Sequence, residues 1–175
     1  MYLLLYIYYF ALNALECGTE NLCTHISAMD VAGYFLQKAN NDGNLITNLK
    51  MQKLLYYAQA WYLVNFDAPL FKEDIDAWNL GPVVRDAYNT FKMYRASPIK
   101  YEAAEHEFIV FTEEQKDYLD EFYDAFCKFS AHELVNMSHN EPPWENASQN
   151  KSDNIISHES MKKYYSSLVE SGKKE

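Results

Sequence analysis

The chain is short of the residues that bridge, punctuate and catalyse. Cysteine occurs three times, at Cys17, Cys23 and Cys127. An odd count without C-x-x-C spacing supplies neither a disulfide framework nor a thiolate zinc site, which fits the reducing cytoplasm. Five glycines and five prolines among 175 residues are too few for a disordered or low-complexity composition. No Lys or Arg precedes Lys38, so the apolar opening MYLLLYIYYFALNAL lacks the positive start of a secretory signal. Its 15 residues also fall short of the ~20 that span a bilayer. G-x-S-x-G, G-x-x-x-x-G-K-[ST] and G-x-G-x-x-G are all missing. The serine-hydrolase, P-loop and dinucleotide signals are therefore absent.

What is present is acidic and aromatic. The formal charge is −10 with pI near 4.9. A protein that grips phosphates needs a positive footprint, so direct nucleic-acid binding is excluded as a general mode. Acidity speeds encounter with a basic partner. Hydrophobic residues make up 49% and aromatic residues 16% of the chain, including 15 Tyr and 10 Phe. That surplus fits either an aromatic-rich core or a contact surface. The length suits one domain with a sizeable interior.

Regular patterning begins at Met29. Residues 1–28 are read as an apolar leader outside the domain, with the true start at Met29; the alternative is a membrane or partner anchor. The domain is expected over 29–170, with a disordered tail at 171–175. A first helix is expected from Asp30 to Asn40, closed by the left-handed propensity of NNDGN. A second spans ITNLKMQKLLYYAQAWYLV, Ile46 to Val64, capped by Thr47 or Asn48. Met51, Leu54, Leu55, Ala58, Trp61 and Tyr62 share one arc of that helix, while Leu49, Tyr56 and Leu63 lie opposite. A helix apolar on two sides is packed on two sides, so this one is central. Lys50, Lys53 and Tyr57 form a third stripe, which is either a partner-facing ridge or a plain solvated face.

Phe71 to Trp78 reads as an irregular strand, and GPVV as a break before a helix from Val83 to Tyr94. Phe108 to Phe111 reads as a short strand. Thr112 with Gln115 and Ser130 with Glu133 are capping boxes that open two further helices, the second ending near Met137. The stretch SHNEPPWENASQNKSDN reads as loop, and a last helix runs from His158 to Leu168. The fold class is mainly α with some β: five to six helices and a small hairpin or sheet.

One cluster resembles chemistry: His132, Glu133, His139 and Glu141. A zinc-hydrolase helix needs H-E-x-x-H, with both imidazoles on one face. Here Asn136 stands at the second position, and His139 follows next to a double proline. Caps and loop anchors explain these residues better, so no metal, cofactor or catalytic residue is expected. The pairs Glu73-Asp74 and Glu113-Glu114 read as solvated turns and helix N-termini.

Three segments, ITNLKMQKLLYYAQAWYLV, PLFKEDIDAWNLGPVVRDAYNTFK and LVNMSHNEPPWENA, resemble the SocA/Panacea antitoxin-domain family, which includes phage-associated GepA-like proteins. The family pattern L-x-x-L-[ST]-H-x-E-x-P-W aligns with Leu134 through Trp144, with Met137 at an apolar position. The resemblance implies a compact helical fold with a small sheet. It implies a non-enzymatic protein that neutralises a toxin encoded beside it, usually by direct binding. In one branch the protein is instead an adaptor that delivers the toxin to the ClpXP protease. A phage protein blocking a host factor is a further option. The shared positions are Leu54, Tyr56, Gln59, Trp61, Trp78, Gly81, Pro82, Val83, His139, Glu141, Pro143 and Trp144. They suggest that the GPV turn and the HxExPW loop close on the aromatic helix, with His139 and Glu141 bracing the junction through hydrogen bonds.

Overall fold

The structure, a computed structural model, describes residues 26–100, 111–150 and 152–172. The apolar opening up to residue 25, Cys17, Cys23, the expected strand apart from Phe111, and the tail beyond residue 172 lie outside the described residues. Within them are seven α-helices and one two-stranded antiparallel sheet.

Helix α1 is Ala28–Asp42. Its start is fixed by a capping box: Ser27 Oγ accepts from Asp30 N–H, while the Asp30 carboxylate accepts from Ser27 N–H at 2.8 Å. Each bond satisfies an N–H that the first turn leaves without a partner. Ile26 and Ala28 are buried, so packing begins before the boundary expected at Met29. The Ala28 N–H donates to Glu73 at 3.0 Å. Glu73 is thus an anion at a helix N-terminus and not a merely solvated turn. Gly43, at φ 70°, closes the helix in the left-handed region, as the NNDGN stretch indicated.

Helix α2, Asn48–Phe66, is the pillar of the fold. Thr47 caps it, and Met51 through Leu63 is buried without interruption. The other elements surround it: α3 (Arg85–Phe91), α4 (Glu113–Phe126), α5 (Ala131–His139) and α7 (His158–Gly172), together with α1 and strand β2 (Gly81–Val83). Such a helix must be apolar or internally hydrogen-bonded on every side. The stripe of Lys50, Lys53 and Tyr57 is therefore not a partner-facing ridge. Lys53 is 0% exposed and Tyr57 1%. Lys50 is half-buried and donates its amine to the carbonyl of Cys127.

The expected strand contracts to β1, Asp76–Trp78, which pairs with β2 in the register Asp76↔Val83, Ala77↔Pro82 and Trp78↔Gly81. On its other edge β1 meets the chain at Ile155, where Ala77 N–H donates to Asn154 O at 2.7 Å. Val83 thus belongs to the hairpin, and the following helix begins only at Arg85; a 3-10 turn over Lys92–Tyr94 completes it. Both predicted capping boxes form, at Thr112 and at Ser130. The stretch read as loop contains helix α6, Pro142–Gln149. Its two prolines stand in the first turn, where a missing N–H costs nothing and the fixed φ is already helical. Helix α7 runs on to Gly172, past its expected end at Leu168.

Among the described residues, most aromatic side chains are core. Phe35, Phe122, Phe126, Tyr57 and Tyr165 are all buried and meet ring to ring, with Phe122 and Phe126 stacked at 4.5 Å. The large hydrophobics left exposed among the described residues are aliphatic: Leu45, Leu80, Met93 and Ile155.

Candidate functional site

The motif residues converge where α2 meets the hairpin and the α5–α6 corner. Glu141 occupies the N-cap of α6 and is 8% exposed. Its carboxylate accepts from three tyrosines: Tyr165 at 2.6 Å, Tyr57 at 3.1 Å and Tyr56 at 3.3 Å. Burial pushes this carboxyl up to about 7, although the three hydroxyls pull the other way by favouring the charge. Burial and the Glu141 charge push all three phenols well above their ordinary range. They stay protonated and remain donors.

Lys53 lies close by with no carboxylate partner. Its amine donates to Pro82 O at 2.7 Å, and burial pushes it down to about 7. This buried amine explains why position 81 is glycine. A Cβ there would stand 2.7 Å from Lys53 Nζ and 2.9 Å from Ser138 Oγ, and the backbone sits at φ +95°. Any other residue would meet both a collision and a disfavoured backbone.

His139 stacks on Trp144, with centroids 4.0 Å apart and planes 13° from parallel. Burial, then the nearby Lys53 amine, push its imidazole down and keep it neutral. Its Nε2 is buried without a hydrogen-bond partner. The contact His139 makes is therefore a ring stack, whereas Glu141 joins α2, α6 and α7 through hydrogen bonds. Trp144 Nε1 donates to Trp78 O at 3.1 Å, which ties the α6 corner to the hairpin. Pro143 is buried beside it.

Further along α2, Gln59 staples a loop. Its oxygen accepts from Leu70 and Phe71 N–H, and its amide donates to Phe71 O. Trp61 meets Tyr165 edge to face at 4.9 Å, and Leu54 is wholly in the core. Three participants were not anticipated. Gln52 accepts from Val84 N–H at 2.9 Å and donates to Asn48; an amide in a helix with no exposed side must find an inward partner, and that was its signal. Ser138 turns inward onto Val135 O. Tyr165 lies outside the three motifs; helical spacing marks Tyr164 or Tyr165 as a docking residue of the last helix but not as a partner of Glu141.

This arrangement holds elements together, and its polar groups are enclosed. Lys53, Tyr56, Tyr57 and Glu141 are each below 9% exposed. His132, His139 and Glu141 do not converge, and among the described residues no group of three His, Cys, Asp or Glu is placed to hold a metal ion. No helix of the described residues is long and apolar enough to cross a membrane.

Fold and junction together describe a helical scaffold whose shared motif residues are mostly buried, with Trp78, His139 and Trp144 half-buried. A family model described as "Antitoxin SocA-like, Panacea domain" matches residues 51–145, which run from α2 to the first turn of α6. The chain belongs to this family of SocA-like, Panacea-domain proteins. It is also 39% identical over 66 residues to Antitoxin SocA of Caulobacter vibrioides (strain NA1000 / CB15N). That alignment takes in 38% of this chain and 35% of the relative, so the chain matches about a third of the relative's length. No solved structure matches the chain.

Proposed function

We propose that this chain is the antitoxin of a toxin–antitoxin pair, acting in the cytoplasm by binding its toxin directly and not by catalysis. One observation carries the reading: most of the shared family residues are consumed in building an interior junction, within a chain that belongs to an antitoxin family. A protein whose buried polar groups serve its own folding acts through its surface. The net charge of −10 favours a toxin with a basic face, since opposite charge accelerates encounter.

The test is genetic. The open reading frame beside this gene is expressed alone and then together with this chain. Growth arrest by the neighbour alone, relieved by co-expression, is the expected result; a harmless neighbour, or arrest that persists, refutes the reading. The same strains separate neutralisation from delivery to ClpXP. Direct binding leaves the toxin at full level in a stable complex. An adaptor would make the toxin disappear only where ClpXP is active.

A further inference from the structure

One open groove lies against α2 on the hairpin side, beside the buried junction, with which it shares Gln52 and Trp78. Its volume is about 640 Å³, within the range of sites that enclose a ligand or a short peptide segment. Trp78 and Tyr88, packed edge to face at 4.9 Å, form an aromatic wall, and Leu80 at the hairpin turn adds an aliphatic side that is 61% exposed.

The charge of this groove opposes that of the chain. Among the described residues, the charged ones that line it are Lys92 and Arg95. The chain holds two arginines in all, and both fall between residues 85 and 100, a segment with four cations and a single carboxylate, Asp86. Arg85 is paired to Asp76. The Arg95 guanidinium has no ion-pair or hydrogen-bond partner among the described residues. Its backbone sits at φ +52°, a conformation a non-glycine residue rarely adopts without tertiary support. Among the described residues, Lys92 donates to Asn89 at 3.1 Å, in solvent.

We propose that this groove is a docking site for a segment of the partner protein that carries a carboxylate beside a bulky apolar side chain. The apolar group seats against Trp78, Tyr88 and Leu80, and the carboxylate meets the planar fork of Arg95, whose paired donors match two carboxylate oxygens. Phosphates would satisfy Arg95 equally well. However, a nucleic-acid backbone would bring a dense run of negative charge onto a chain of net charge −10, so a local carboxylate in an otherwise basic or neutral protein is the better fit. The identity of the partner as a toxin rests on the reading above; the chemistry of the groove does not.

Short random peptides displayed on phage are selected on the immobilised full chain, and the winners are synthesised and titrated by fluorescence anisotropy. The expected winners pair Asp or Glu with an aromatic or branched aliphatic residue. Arg95→Glu and Leu80→Asp each weaken them about tenfold or more, with melting midpoints unchanged. Lys163→Glu, on the exposed side of α7, leaves affinity intact. Winners that are basic or uncharged, or that bind Arg95→Glu as well as the parent, overturn the proposal. So does a dimer of the purified chain that Arg95→Glu dissolves, because the groove's occupant is then a second copy.

The two readings fail separately in the growth assay. If the parent chain rescues and both groove variants rescue equally, the groove is refuted and the antitoxin reading stands. If the parent does not rescue, the antitoxin reading falls and the peptide titrations decide the groove.

Discussion

The junction and the groove both rest on α2, yet they treat charge in opposite ways. At the junction, Lys53 and Glu141 are enclosed and every hydrogen bond points inward, to Pro82 O or from three tyrosines. At the groove, the charged groups are exposed cations, and Arg95 has no partner among the described residues. Enclosed charges rarely add net stability, because desolvation offsets the attraction, but removing one partner is costly. The junction therefore fixes which elements meet. Exposed, unpaired charges do the reverse: they contribute little to folding and remain available to a partner. The enclosed motif residues thus mark the scaffold, and recognition falls to the open groove, where exposed parts of the same segments, among them Trp78 and Leu80, meet Arg95.

The sharpest way to break this contrast is at Gly81. Gly81→Ala places a Cβ against Lys53 Nζ and Ser138 Oγ at a positive φ and should cost about 3 kcal/mol or more, read by chemical denaturation. A loss under about 1 kcal/mol would mean that the junction is looser than its distances imply.

Glu141 comes next. Glu141→Leu removes the shared acceptor of three buried tyrosine hydroxyls, leaving Tyr165 and Tyr56 only each other at 3.4 Å, and should cost about 2–3 kcal/mol. Glu141→Gln keeps an acceptor and should cost about 1 kcal/mol.

The same pair of groups sets a pH signature. The folded state holds the Glu141 proton more tightly than its ordinary 4.5, up to about 7. That contribution is complete below pH 4.5 and is lost as pH rises through about 7. Lys53 has the opposite sign: its value is lowered from 10.5 to about 7. Its contribution is complete above 10.5 and is lost as pH falls through about 7. Together the two groups place a dip in stability near neutrality. Urea midpoints across pH 5 to 10 should show this dip, and Glu141→Gln should flatten its acid side. A profile unchanged by that substitution would remove Glu141 from the enclosed state assigned to it.

His139→Ala is the smallest of the junction changes. It removes a parallel stack on Trp144 but no hydrogen bond of Nε2, so about 1 kcal/mol is expected, as a modest fall in melting midpoint. An unchanged midpoint would count against any bracing role.

Much of the scaffold was legible in the sequence. The central position of α2 followed from apolar residues on opposite sides, and the caps at Thr112 and Ser130 from their spacing to Gln115 and Glu133. Helix α6 was not, because a double proline marks a helix start as readily as a loop, and only the turn geometry decides. The stripe of Lys50, Lys53 and Tyr57 was misread for a related reason. A helical wheel gives the direction of a side chain but not what covers it, and here β2 brings a bare carbonyl over Lys53. Tyr165 reaches Glu141 across 24 residues, a separation that no local pattern encodes. The groove was equally silent, since Trp78, Tyr88, Arg95 and Asn154 come together only through the hairpin's pairing with the segment before α7.

The claim that the enclosed junction builds and the open groove recognises is tested most directly by titrating the purified neighbouring gene product against the parent, Glu141→Gln and Arg95→Glu, at a temperature where all three are folded. The account predicts parental affinity for Glu141→Gln despite its lower melting midpoint, and about tenfold or weaker binding for Arg95→Glu at an unchanged midpoint. Lost affinity in Glu141→Gln with full affinity in Arg95→Glu would contradict it.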